Sequence, residues 1–192
     1  MPEIERGSEY SEIAVDEQAV KMRIGEALMA APTLSELWEE IHRQEKLTNE
    51  FTLNKIDAAE YRQRLIDLNE KAKGIVELET LDEFIIALEY LGVKGEELYE
   101  VVSHEQAHFE TADELELSPA YMIRLYMIDK IRFGKCYGVI SDYDSLSTNE
   151  QIREANMRVS MAPEFLSETD LKVFEGTEFY DELRQSLRKE DQ

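Results

Sequence analysis

Residues 103–140, "SHEQAHFETADELELSPAYMIRLYMIDKIRFGKCYGVI", carry two patterns end to end. The first half is charged and helical in spacing, and it holds His104 and His108, with Glu105 beside the first histidine. Helical residues four apart share a face, so both imidazoles point the same way, about one turn apart. Ser118 and Pro119 stop that helix, because proline restricts the residue before it to extended backbone. The second half is rich in β-branched and aromatic residues and reads as two strands, about 121–128 and 131–140. Asp129 and Lys130 stand where a hairpin turn fits. The expected fold is α+β, mainly α: an N-terminal helical hairpin, the histidine-bearing helix, a short β-hairpin and C-terminal helices.

Outward toward the N-terminus, residues 1–10 read as a loose tail. Ser11 to Ala31 follows a helical period through Ile13, Val20, Ile24, Ala27 and Leu28, and Pro32 ends it. Thr33 and Glu36 form a capping box for a helix running to about Thr52. Leu34, Leu37, Trp38, Ile41 and His42 lie on its expected stripe. "LNKID" is a turn, and a second helix follows to about Gly74, with Tyr61, Leu65 and Leu68 inside. A capping box at Thr80 and Glu83 opens a short apolar helix that ends at Gly92, and the histidine-bearing helix starts near Gly95 and Glu96. Outward toward the C-terminus, a helix is expected over about 148–160, and "SETD" at 167–170 caps a further one. The chain divides into residues 1–32, a helical arm at 33–78 and a metal-site domain at 79–192. The arm's wide polar face suits packing or oligomerisation.

The formal charge of -22 repels phosphate backbones and anionic lipid, which argues against nucleic-acid and membrane partners and draws cations. With a single cysteine, Cys136, the chain forms no internal disulfide. The acidic N-terminus lacks the features of a signal peptide, and no apolar run approaches the ~18 residues that span a bilayer. A cytoplasmic protein is expected.

His104, Glu105 and His108 form an HExxH motif. Two imidazoles one turn apart can hold one Zn²⁺, and the glutamate is placed to take a proton from water that zinc activates. The plain alternative is an acidic helix whose histidines pair with carboxylates. The motif resembles that of the zincin-like metallopeptidases. Val101, Val102, Gln106, Ala107 and Phe109 fit the uncharged surroundings of the family's histidines, and Glu110 departs from them. Glu114 stands where metzincins carry their third histidine, which excludes that branch. In glutamate-type zincins a downstream helix supplies the third ligand from a motif similar to "NEQIRE", residues 149–154 here. The resemblance implies Glu150 as the third ligand, with Glu154 orienting the first histidine; Asp142 and Asp144 are alternatives.

The expected function is a zinc-dependent, peptidase-like hydrolase acting on a peptide or protein, with Glu105 as general base. Its rival is a non-catalytic helical interaction or scaffold protein with a structural metal or none. A di-iron carboxylate bundle would pair Glu39 and His42 with Glu105 and His108. His42 reads as a boundary residue of its helix and Cys136 as a structural thiol. Tyr121, Tyr126 and Tyr137 read mostly as core or sheet-face residues.

Overall fold

Asp16 opens the first helix by accepting the N–H groups of Gln18 and Ala19 at 2.9 and 3.2 Å. The computed structural model describes residues 15–141, 143, 145–146, 148–167 and 170. The expected tail, the first residues of the first expected helix, Asp142, Asp144 and the helix beyond "SETD" lie outside the described residues. Among the described residues the chain is mainly helical, with six helices and one three-stranded antiparallel sheet. The helices are α1 (Glu17–Met29), α2 (Leu34–Thr52), α3 (Ala58–Asn69), α4 (Leu81–Tyr90), α5 (Glu96–Glu114) and α6 (Asn149–Ser160). The strands are β1 (Ile75–Leu78), β2 (Ala120–Met127) and β3 (Phe133–Ile140).

The capping box expected at Thr33 and Glu36 forms at the start of α2, and Thr148 and Gln151 make another at the start of α6. At α4 only half of the expected box forms. Thr80 caps the Glu83 N–H, while the Glu83 carboxylate accepts from the Glu79 N–H at 2.9 Å.

β1 has no counterpart in the sequence reading. It is four residues long, too short for an alternation to stand out, and it exists because β2 offers an edge. Ile75 pairs with Arg124 and Leu78 with Tyr121, which puts β2 between β1 and β3. Gly74 makes the entry: its φ is 71°, its carbonyl accepts the Leu125 N–H at 2.7 Å, and a Cβ there would collide with the Leu125 carbonyl. β3 pairs with β2 from Ala120–Ile140 to Met127–Phe133, and it forms the other edge.

Successive strand residues point to opposite faces. On one face Tyr121, Ile123 and Leu125 are buried with Val76, Leu78 and the inner residues of α1, α4 and α5. The Tyr121 ring stacks against both Phe84 and Phe109, at 4.8 and 4.5 Å between centroids. On the opposite face Arg124 is buried and pairs with Glu40 of α2. The α2–α3 hairpin therefore reaches the sheet. It also forms a core of its own with α6, where Leu47, Phe51, Ala58 and Tyr61 enclose Ile152. Next to Ile152 on the same face of α6, Ala155 meets α5 against Ala112, with Leu117 beside it.

The stripe expected on α2 is rotated. Leu37, Leu47 and Phe51 are buried, while Trp38 is 58% exposed and Leu34 lies at the surface. The inner face is set by what α3, α6 and Arg124 present, and the run of apolar residues at the start of α2 does not align with it. Among the described residues no helix is long and apolar enough to cross a membrane.

Candidate metal centre

α5 sets the two histidines by its period alone. The Nε2 atoms of His104 and His108 face each other at 3.2 Å, with the rings nearly perpendicular. Two nitrogens bound tetrahedrally to one Zn²⁺ at about 2.0–2.1 Å stand roughly 3.3–3.4 Å apart, so the observed spacing fits a shared ion. The His108 ring is fixed from behind, since its Nδ1–H donates to the Val159 carbonyl of α6 at 2.7 Å. That bond leaves the Nε2 lone pair free for a metal.

The third donor is Asp170. One of its oxygens lies 3.3 Å from His104 Nε2 and the other 3.2 Å from His108 Nε2. The three side chains form a group able to hold a metal ion. Asp170 is held by a capping box: its carboxylate accepts the Ser167 N–H at 2.6 Å, and its own N–H donates to the Ser167 hydroxyl. Ser167 and Asp170 thus make the reciprocal bonds their spacing implies, and the same carboxylate turns to the histidines. Among the described residues no fourth histidine, cysteine or carboxylate joins the group. Three protein donors with one position left over is the pattern of catalytic rather than structural zinc sites. His108 and Asp170 are buried, while 24% of the His104 side chain is open to solvent.

Glu150 and Glu154, the acids implied by the zincin resemblance, are exposed on α6 and stand outside this group. The reason is the helix period. α6 buries Ile152 and Ala155. At 100° per residue, Glu150 and Glu154 each stand about 200° from Ile152, on the opposite side. His42 is exposed on α2 and lies 3.8 Å from Glu45, so it brings no second Glu-x-x-His unit to α5. Cys136 is half-buried in β3 and makes a weak contact from its Sγ to the Arg124 carbonyl.

Glu105 is 6% exposed, and its Oε2 has no hydrogen-bond partner among the described residues. Burial pushes its carboxyl above the ordinary range, and the two imidazoles pull it partly back. A buried acceptor without a donor is costly in a fold and is often kept for chemistry.

The hydrogen bond to Asp170 raises the His104 imidazole. Burial works against the His108 cation, but the bonds to Asp170 and Val159 outweigh it and leave that imidazole raised as well. Burial also works against the Asp170 carboxylate, but the two histidines and Ser167 hold it well below the usual carboxylate range. A lowered acid adds stability above its unfolded value and loses it as pH falls; a raised histidine adds stability below its unfolded value and loses it as pH rises. The buried Glu105 charge costs stability as pH climbs past the carboxylate range. The metal-free cluster therefore contributes most between about pH 4 and 6.5. In EDTA the melting temperature is expected to fall from pH 6 to pH 8.5. Added Zn²⁺ is expected to restore it by an increment that grows with pH, because metal displaces protons from the ligands. A melting temperature in EDTA that climbs over this range would contradict the assignment of the three charges.

Comparison with protein-family models, with curated proteins and with solved structures finds no match to this chain.

Proposed function

We propose that the chain is a zinc-dependent, peptidase-like hydrolase, with His104, His108 and Asp170 as the metal's protein ligands and Glu105 as general base. The observation that carries this reading is the convergence of three donors beside a buried carboxylate whose Oε2 lacks a partner. The donor set of two imidazoles and one carboxylate suits zinc, and no softer ligand is part of it. Zinc bound there would supply Lewis-acid polarisation of a carbonyl and activation of water near neutral pH.

The residues divide the work. The Val159 carbonyl orients the His108 imidazole from its Nδ1 side. Glu105 sits one residue from His104 and is buried, which raises its proton affinity. It would take a proton from the attacking water and pass it to the leaving amine. β3 supports a peptide as the substrate. It is a sheet edge packed beside α5, and an extended chain can pair with such an edge through its backbone. The excess of acidic residues favours basic over acidic peptides.

The test is elemental analysis of protein prepared without a histidine tag, beside a His104→Ala/His108→Ala variant, followed by a peptide-library cleavage assay. About one zinc per chain, lost in the variant, with cleavage that requires zinc, is the expected result. Stoichiometric zinc with no cleavage of any library member would favour the structural-metal reading. No zinc in either protein would remove the metal from both.

A further inference from the structure

His108 is aimed by α6, and α6 is in turn held by the α2–α3 hairpin. The Val159 carbonyl that accepts the His108 Nδ1–H belongs to the last turn of α6, where it also accepts the Ala162 N–H at 3.2 Å and the helix dipole is negative. That bond fixes the Nδ1–H tautomer. It holds only if the end of α6 lies where it does, and α6 packs on α5 through Ala155 and Val159 and on the α2–α3 hairpin through Ile152.

Three contacts hold α6 to the hairpin. Asn149 accepts the Ala58 N–H at 2.7 Å, at the first residue of α3. Ile152 fills the hairpin core. Arg153 donates to the Phe51 carbonyl at 3.0 Å and to the Asn54 side-chain oxygen, while its guanidinium lies 5.2 Å from the centre of the Phe51 ring. The Phe51 carbonyl belongs to the end of α2, where a cation is favoured by the dipole. Asn54 follows with φ 56°, the left-handed residue of the turn.

We infer that Arg153 is a positioning residue for the metal centre: by tying α6 to the α2–α3 turn it places the Val159 carbonyl and so fixes the tautomer and direction of His108. Its partners lie in the turn and not among the metal donors, so it acts through the helix. The effect on metal affinity rests on the zinc reading, whereas the effect on the His108 tautomer needs no metal.

The experiment compares the wild-type chain with Arg153→Ala and Arg153→Lys. The His108 tautomer is read in metal-free protein at pH 8.5 by long-range ¹H–¹⁵N correlation, and Zn²⁺ affinity by competition with a chelator. The wild type is expected to show His108 as the Nδ1–H form. Arg153→Ala is expected to give a mixed tautomer with unchanged helix content and about tenfold weaker Zn²⁺ binding, the scale at which outer groups tune a site. Lysine, which keeps the charge and one donor, should restore part of both effects. If Arg153→Ala does not fold, Asn54→Ala replaces it and is expected to shift the same two readouts less far. A folded alanine variant with the pure Nδ1–H tautomer and wild-type affinity would overturn the inference. A wild type that binds no Zn²⁺, with the tautomer still lost in Arg153→Ala, would refute the metal reading and support the positioning role.

Discussion

Asp170→Ala will weaken Zn²⁺ binding by about 100-fold or more, and Glu150→Ala will leave it unchanged. The first figure follows from removing one of the three proposed ligands, a larger loss than the 10–100-fold typical of the groups that orient ligands. Asp170 also supplies the only carboxylate that meets both imidazoles among the described residues. Without it, the two imidazoles face each other at one corner, and protonating either then gains only from the Glu105 charge. Glu150 is exposed in the first turn of α6, and its substitution removes only a favourable contact with the helix dipole. Chelator competition on the two variants decides the matter. Equal losses, or a loss confined to Glu150→Ala, would return the third-ligand role to α6.

Glu105→Gln will have opposite effects on rate and stability. On the proposed mechanism, loss of the general base costs hydrolysis about 10²–10⁴-fold, while Zn²⁺ content should remain at the wild-type level because Glu105 is not one of the three candidate donors. In the same variant the metal-free fold should melt higher above pH 6, since a buried charge is replaced by a neutral group of the same shape. The gain should shrink as pH falls into the carboxylate range, because a carboxyl raised by burial takes up its proton earlier than a free one. Full hydrolytic activity in Glu105→Gln would remove it from the mechanism. Full activity loss with no stability gain would point to a distorted site.

The part of the centre set by local periodicity was legible in the chain. His104 and His108 share a face of α5 because of their spacing, and no tertiary knowledge is needed to see it. The third donor depends on how the segment after α6 returns to α5, which no local pattern encodes. A signal was present even so. The period of α6, read through Ile152, Ala155 and Val159, turns Glu150 and Glu154 outward, and applying it would have set aside the motif similarity. "SETD" was legible as a helix start, but a capping carboxylate keeps acceptor capacity, and its second use shows only once α5 is opposite it. β1 and the rotation of α2 escaped for a related reason. Val76 and Leu78 become strand residues because β2 is there, and Trp38 lies outside because Arg124 and Glu40 set which side of α2 faces the sheet.

The capping box at Ser167 and Asp170 has a kinetic consequence. One carboxylate both accepts the Ser167 N–H and closes the proposed site, so release of the ion would be coupled to breaking that bond. Zinc exchange would then be timed by a local opening event rather than by ligand strength alone. The amide of Ser167, bonded to the same carboxylate, would report that event through its hydrogen-exchange rate.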